Sequence, residues 1–294
     1  VAKYKQYSLW PFGQHNFYWE GLRYFLHLRP VLAYLNEHQI NTIDVRTVPA
    51  HYQEVLTLYV SLENQTVFRE GFTEWYRLVA KGVGALALWL AKFQKRTCLL
   101  YTPDIWHPDT DCDIRFARAY QLLEKQGIKK TEIFHTNFSR KFVQHLVKRK
   151  RLALYREAYT DRQPSLPKEA VDCDLSVFSP TEATYLASVL DSFRYTSQAS
   201  LAAIHSLIHR LKKSPYKVFL ALDDVRYVSE IIIACRECGI RSVGIQHGHF
   251  TKHLVGWMNY GIPQDRGVAF DTLYLWNDYW QEVLLDYSTH YTKE

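Results

Sequence analysis

His247 and His249 flank Gly248 and directly follow Gln246, closing the apolar run 240-IRSVGIQHGHF-250. A histidine titrates near neutrality, so one at the carboxyl end of a buried strand can take a proton from a hydroxyl. Gly248 would let the backbone turn sharply or come close to a ligand. The alternative is a polar strand end whose histidine bonds a neighbouring carbonyl, and spacing alone leaves both readings open. The loop beyond adds Lys252, His253 and Arg266 among Gly256, Gly261 and Gly267. Such a set suits a phosphate or a charged sugar, and it equally suits a solvated loop packed by Trp257 and Tyr260. The preceding run, 217-KVFLAL-222, ends on Asp223 and Asp224. Two carboxylates there can orient an acceptor, act as a base or bind a metal, but a helix cap is the simpler role.

Other motifs carry less. Cys235 and Cys238 form a Cys-x-x-Cys inside a helical pattern, with no second pair at zinc spacing, and read as small packing residues. The loop 103-PDIWHPDTD-111 holds His107 and several aspartates without ligand spacing, so no metal is expected. The two Asp-Cys-Asp triplets, at 111–113 and 172–174, read as coincidence. The run 147-VKRKR-151 is most simply a solvated helix face, with anionic lipid or nucleic acid as the sharper alternative. The segment from Trp10 to Asn16 could stack on a sugar or base, or hook onto the core. There is no glycine-rich nucleotide loop of the dinucleotide or Walker type and no Gly-x-Ser-x-Gly elbow.

The elements that must position these residues are clearest in the last third. The pattern predicts a strand over 217–222, a helix over 225–239 ending at Gly239, and a strand over 240–246. After a loop come a strand over 271–276 and a helix over 277–287. Strands this apolar cannot have one wet face, which argues for a parallel sheet with helices on both faces. Upstream, strands are predicted at 39–46, 97–102, 131–136 and 172–179. Helices are predicted over 17–38 (broken or restarted at Pro30), most of 51–95, 114–128 (stopping at Gly127), 139–159 and 180–213, the last opening on a Ser179–Glu182 capping arrangement. The fold class is therefore α/β, Rossmann-like. The chain reads as one domain over 1–294, with 1–40 an aromatic helical segment.

The 294 residues are 47% hydrophobic, enough for an ordinary core, and carry a net charge of +6. That charge favours anionic partners without choosing among them. The five cysteines are odd in number and scattered, which suits a reducing cytosol. No apolar run reaches the roughly 18 residues of a spanning helix. The best, 82-GVGALALWLAKF-93, soon meets Lys92, Lys95 and Arg96. No N-terminal signal pattern is present either.

The order strand, helix, Gly-Ile-x-x-Val-Gly-Ile-Gln-His-Gly, loop, then 271-DTLYLWNDYW-280 and helix resembles the N-terminal domain of GT-B glycosyltransferases. The likeness is to bacterial surface- and capsular-polysaccharide enzymes, including Kdo-transferase-like and CDP-glycerol-transferase-like groups, and it spans roughly residues 215–290. It implies that His247 is the base. Gln246, Gly248, His249, Lys252, His253, Arg266, Asp223 and Asp224 are the candidate substrate-binding residues from their place at the strand ends and in the loop, and the resemblance leaves open whether Lys252, His253 or Arg266 touches the substrate. It implies a nucleotide-activated sugar donor, a glycan or lipid-linked acceptor, and no cofactor or metal. Residues 277–294 would begin the connection to a second, donor-binding domain that this chain does not contain. The expected setting is the cytoplasm, with peripheral contact to the inner membrane face and no nucleic acid. The rival readings are a nucleotide-sugar epimerase-like enzyme and a non-catalytic module using the 139–159 basic helix on nucleic acid or anionic membrane.

Overall fold

The computed structural model describes residues 3–8, 22–40, 42–44, 61–63, 82, 85–86, 88–102, 112–134, 153–155, 174–222, 228–249, 267–288 and 290–291. The chain divides into two compact units. The first is made of Val1–Ala2, Leu9–Glu70 and Pro164–Gln198, and the second of Lys3–Ser8, Gly71–Gln163 and Ala199–Glu294.

In chain order the elements begin with a hairpin, β1 (Lys3–Tyr4) and β2 (Tyr7–Ser8), then helix α1 (Arg23–Glu37), β3 (Thr42–Asp44) and β4 (Ser61–Glu63). After helical residues within 82–93 come β5 (Cys98–Thr102), a 3-10 turn (Ile114–Phe116), α2 (Ala117–Lys125), β6 (Lys130–Phe134) and β7 (Ala153–Tyr155). The chain closes with α3 (Pro180–Leu211), β8 (Val218–Leu222), α4 (Ser229–Glu237), β9 (Arg241–Ile245), β10 (Thr272–Tyr274) and α5 (Asp278–Tyr287).

The second unit is built on a six-stranded sheet in the order β10-β9-β8-β5-β6-β7, with every pairing parallel. Counted along the chain within the sheet, this is the 3-2-1-4-5-6 order of doubly wound nucleotide-binding folds. The chain winds outward from β5 to β7, returns to β8 beside β5, and winds the other way to β10. Pleating divides the core. Leu100, Leu220 and Leu222 pack with Phe116 and Tyr120 of the α2 segment, while Leu99, Phe219 and Ala221, also fully buried, face the other side. The sheet is thus covered on both faces, as its continuous apolar strands require. The arrangement is α/β and Rossmann-like.

Local signals set several boundaries. Gly127 and Gly239 take φ of +67° and +69°, and each is followed by a six-to-one backbone bond, Ile128 N to Leu123 O at 2.8 Å and Ile240 N to Cys235 O at 2.8 Å. This left-handed stop is the reason for glycine at both predicted helix ends. At the start of α3, in the first unit, Glu182 Oε2 accepts from Ser179 N (3.0 Å) and Oγ (2.9 Å), while Glu182 N donates back to Ser179 Oγ (3.4 Å). That is the expected capping box. The Ser179 backbone amide, first among the causes, holds the Glu182 carboxyl below its usual range.

Four expectations are corrected. Helix α1 runs through Pro30 instead of breaking there. Pro30 and Leu26 are both exposed, so the carbonyl that loses its partner can turn to water. Residues 61–63, inside a stretch that reads as mostly helical, form β4 and pair in parallel with β3. Residues 153–155, inside the predicted basic helix 139–159, form β7 against Glu132–Phe134. In both cases pairing with a sequence-distant strand overrides local pattern, the usual limit of propensity. Residues 174–179, within the predicted strand 172–179, are a turn, because Asp174 Oδ1 accepts from Ser176 N at 3.0 Å and Phe178 N donates to Leu175 O at 3.0 Å.

Candidate functional site

Strands β9 and β10 are the last two of the sheet, and three features bring them together. Gly244 is the first. A Cβ there would sit 2.6 Å and 2.9 Å from ring carbons of Phe270 and 2.8 Å from Leu273. Only glycine admits this packing. At the amino end, Asp271 Oδ2 accepts from Ser242 N (2.7 Å) and Oγ (2.9 Å), and Asp271 N donates to Ser242 Oγ (3.0 Å). Arg236 of α4 completes that end, donating to Ala269 O at 2.9 Å and Asp271 Oδ1 at 3.3 Å.

The third feature is at the carboxyl end, and its centre is Gln246. The residue is 2% exposed and lies one step beyond β9. Its backbone N donates to Tyr274 O (2.9 Å), and its carbonyl accepts from the indole Nε1 of Trp276 (2.9 Å). Its side-chain Oε1 accepts from Trp276 N (2.9 Å), and Nε2 donates to Gly248 O (3.0 Å). A buried amide needs partners at both ends, and only this orientation supplies them. The side chain expected to meet substrate is therefore engaged within the protein, fastening the loop to the strand-to-helix element that starts at Trp276.

His249 fastens the same loop a second time. Its ring meets Trp276 edge-on at 5.7 Å and Trp280 at 5.2 Å, and the two indoles meet each other at 6.3 Å. Tyr279 extends the cluster against Trp280 at 5.0 Å. Such perpendicular aromatic contacts are favourable beyond the area they bury. Trp276 and Tyr279 remain 52% and 62% exposed, so the cluster also offers ring surface to solvent. Asn277 organises the helix behind it, its Oδ1 accepting from Trp280 N at 3.4 Å as the N-cap of α5.

Between the two anchors lie half-buried His247 and Gly248. Gly248 does not take a positive φ, and a Cβ there would meet nothing within 4 Å. The chain does bend at Gly248, as expected, but with an ordinary φ and open space around the Cβ position, so the described fold does not itself require glycine there. Asp223, Asp224, Lys252, His253 and Arg266 lie outside the described residues, as do Trp10–Asn16, the loop 103–111 and the run 147–151.

The order of the sheet reverses between β5 and β8, where doubly wound folds bind ligands at the carboxyl ends of the strands. The first helical turn described after β5, Ile114–Phe116, is capped from within the protein. Asp113, fully buried, accepts from Arg115 N (3.0 Å) and Nε (2.9 Å) through Oδ1 and from Nη2 (2.7 Å) through Oδ2. The carboxylate and the guanidinium two residues on thus neutralise each other at the start of the described helical segment. Asp113 receives no role from the sequence beyond its Asp-Cys-Asp triplet, although its partner Arg115 is only two residues on and an aspartate ahead of a helical turn is a local capping signal.

The cysteine reading is supported by the burial of the thiols. Cys235 is wholly buried and burial, foremost, pushes its thiol well above the usual range. Cys238 is raised for the same reason and donates to Ile208 O at 3.7 Å. A thiol held protonated is neither a good nucleophile nor a ready metal ligand. Among the described residues no three His, Cys, Asp or Glu side chains come together as a metal site. A cleft of ≈ 460 Å³ lies along β10 and α5, lined by Asp271, Tyr274, Asn277, Asp278 and Gln281 among others, and neither histidine of the His-Gly-His loop borders it. The cleft has titratable groups of its own, Asp271, Asp278 and His290 among them, and is separate from the His-Gly-His loop. No known protein family, curated protein or solved structure matches the chain.

Proposed function

We propose that the chain is the acceptor-side part of an inverting sugar transferase that builds a surface polysaccharide, with His247 as the general base. One observation carries the reading: His247 stands two residues beyond β9, on a loop fastened before and after it to Trp276 and Trp280. A base must be held within hydrogen-bond reach of the proton it removes, and two anchors around one histidine provide that constraint. His247 takes the proton of the acceptor hydroxyl while its oxygen bonds to the anomeric carbon of the donor. The nucleoside phosphate leaves with the electron pair of the broken bond. Lys252 and Arg266 are assigned the negative charge of donor or acceptor, with His253, Asp223 and Asp224 in the surrounding shell. The exposed faces of Trp276 and Tyr279 suit a sugar ring beside the loop. The donor nucleotide-sugar is a substrate, and the reading needs no further cofactor. The setting it assigns is the cytoplasmic side of the membrane. No helix among the described residues is long and apolar enough to cross a membrane.

The basic-module alternative is weakened by β7, which takes residues 153–155 out of the continuous helix it needs. The test of the main reading is transfer of labelled sugar by the full-length protein. His247→Ala is expected to lower turnover by about 10²-fold or more while the fold persists. Near-normal turnover in a folded variant would remove His247 from the role. Isomerised donor in the absence of any acceptor would instead identify an epimerase.

A further inference from the structure

The helical residues within 82–93 present a stripe of large apolar side chains to solvent. Leu86, Trp89 and Phe93 are 55%, 56% and 69% exposed, and the Trp89 and Phe93 rings touch at 4.5 Å. Spaced i, i+3 and i+7, they form one stripe. Ala91, two residues from both Trp89 and Phe93 and so about 200° round the helix from each, is fully buried. Leu88 and Leu90 are half-buried, so part of the helix's apolar surface is inside while this stripe of three large side chains faces out. Large exposed apolar patches mark interaction sites.

The charge next to this stripe indicates the partner. Lys92 and Lys95 are exposed at the end of the helix. Thr97, two residues on, receives and gives backbone bonds that set Lys129 and Lys217 beside it: Thr97 N to Lys129 O at 3.1 Å and Lys217 N to Thr97 O at 2.8 Å. Arg241 N donates in turn to Lys217 O at 3.0 Å. Lys95, Lys129, Lys217 and Arg241 are all exposed, so the amino-terminal edge of the sheet is a row of cations continuing from the end of the helix. The acidic groups described nearby are committed: Glu124 to Lys130 at 3.3 Å, Glu237 to Lys5, and Asp271 to Arg236 and Ser242.

We propose that this helix and the basic row together form a docking surface for an anionic lipid bilayer. Leu86, Trp89 and Phe93 enter the interface between headgroups and acyl chains, and the cations meet the headgroup phosphates. An indole at the edge of an apolar stripe suits that boundary. A stripe of three residues holds weakly by itself, so the charges supply a large share of the affinity. The surface deepens the membrane-face part of the proposed function but does not depend on sugar transfer, because binding is measured without turnover.

The experiment is sedimentation of the full-length protein with vesicles of phosphatidylcholine alone or with about one-third phosphatidylglycerol, at low and at physiological salt. The protein is expected to sediment with the anionic vesicles, and less so as salt rises. Leu86→Ser/Trp89→Ser/Phe93→Ser, all at exposed positions, should abolish it without changing the melting temperature by more than a few degrees. Lys95→Glu, Lys129→Glu and Lys217→Glu should each weaken it by about fivefold or more. Binding that survives the stripe substitutions, or no binding to anionic vesicles at low salt, overturns the proposal. A dimer in analytical ultracentrifugation that the stripe substitutions dissociate also overturns it, assigning the face to a second copy. If the transferase assay fails while vesicle binding holds, the docking surface stands and the sugar-transfer reading falls.

Discussion

The two ends of the β9–β10 pair are closed in different ways. At the amino end, Ser242, Asp271 and Arg236 exchange short polar contacts, and the fully buried Ser242 amide has its acceptor in Asp271. At the carboxyl end, Gln246 bonds backbone groups of Trp276 and Gly248, and His249 leans on two indoles whose cluster stays partly open to water. The first satisfies the buried backbone with charged groups that are already paired to one another, although Asp271 and Arg236 also border the cleft along β10 and α5. The second does the same structural task with side chains that leave a histidine and aromatic faces at the surface. Within one sheet, the amino edge is organised for stability and positive charge, and the carboxyl edge holds residues able to move protons and stack on rings.

The comparison can be broken first at its middle. Gly244→Ala forces a methyl group against Phe270 and Leu273, whose atoms lie under 3 Å from where it would sit. It should separate both joints and cost about 3 kcal/mol, measured by chemical denaturation. A loss below about 0.5 kcal/mol would mean that the strands pack less closely than this. The next largest effect is at the amino end. Asp271→Ala leaves the buried Ser242 N–H without its acceptor and should cost about 2 kcal/mol of stability. Turnover per folded molecule should be unchanged, and a loss of turnover with stability intact would erase the distinction between the ends. The smallest stability effect is expected at the carboxyl end, where His249→Ala removes two edge-on aromatic contacts, worth about 1 kcal/mol. Here turnover should fall more than stability, because the loop carrying His247 loses one of its two anchors. Equal losses in stability and turnover at both ends would reduce the carboxyl joint to another structural one.

Much of the fold could be read locally. The helix stops at Gly127 and Gly239 and the Ser179–Glu182 capping box depend on residues within one turn of each other, and all three form as expected. The strand ending at Ile245 and the helix Asp278–Tyr287 fall within one residue of where apolar patterning puts their ends. What could not be read depends on distance along the chain. Residues 153–155 become a strand because the edge of β6 needs a partner. In the candidate site, the sequence marked the four residues from Gln246 to His249 but not their division of labour. Gln246 and His249 are held by Trp276 and Trp280, about thirty residues on, and that separates the anchors from the residues they hold.

By itself, then, the sequence determined the composition of the parts: apolar strands that must be buried on both faces, helices with marked ends, and a histidine placed just past a strand. Periodicity, capping and glycine placement are properties of neighbours, so a chain states them without folding. Tertiary structure decided the strand order β10-β9-β8-β5-β6-β7, the need for glycine at 244 and the fastening of the histidine loop at Gln246 and His249. It also decided that Leu86, Trp89 and Phe93 face outward, since a helical stripe records only which residues share a face. Which way that face points is set by what packs on the other side, here the small, buried Ala91.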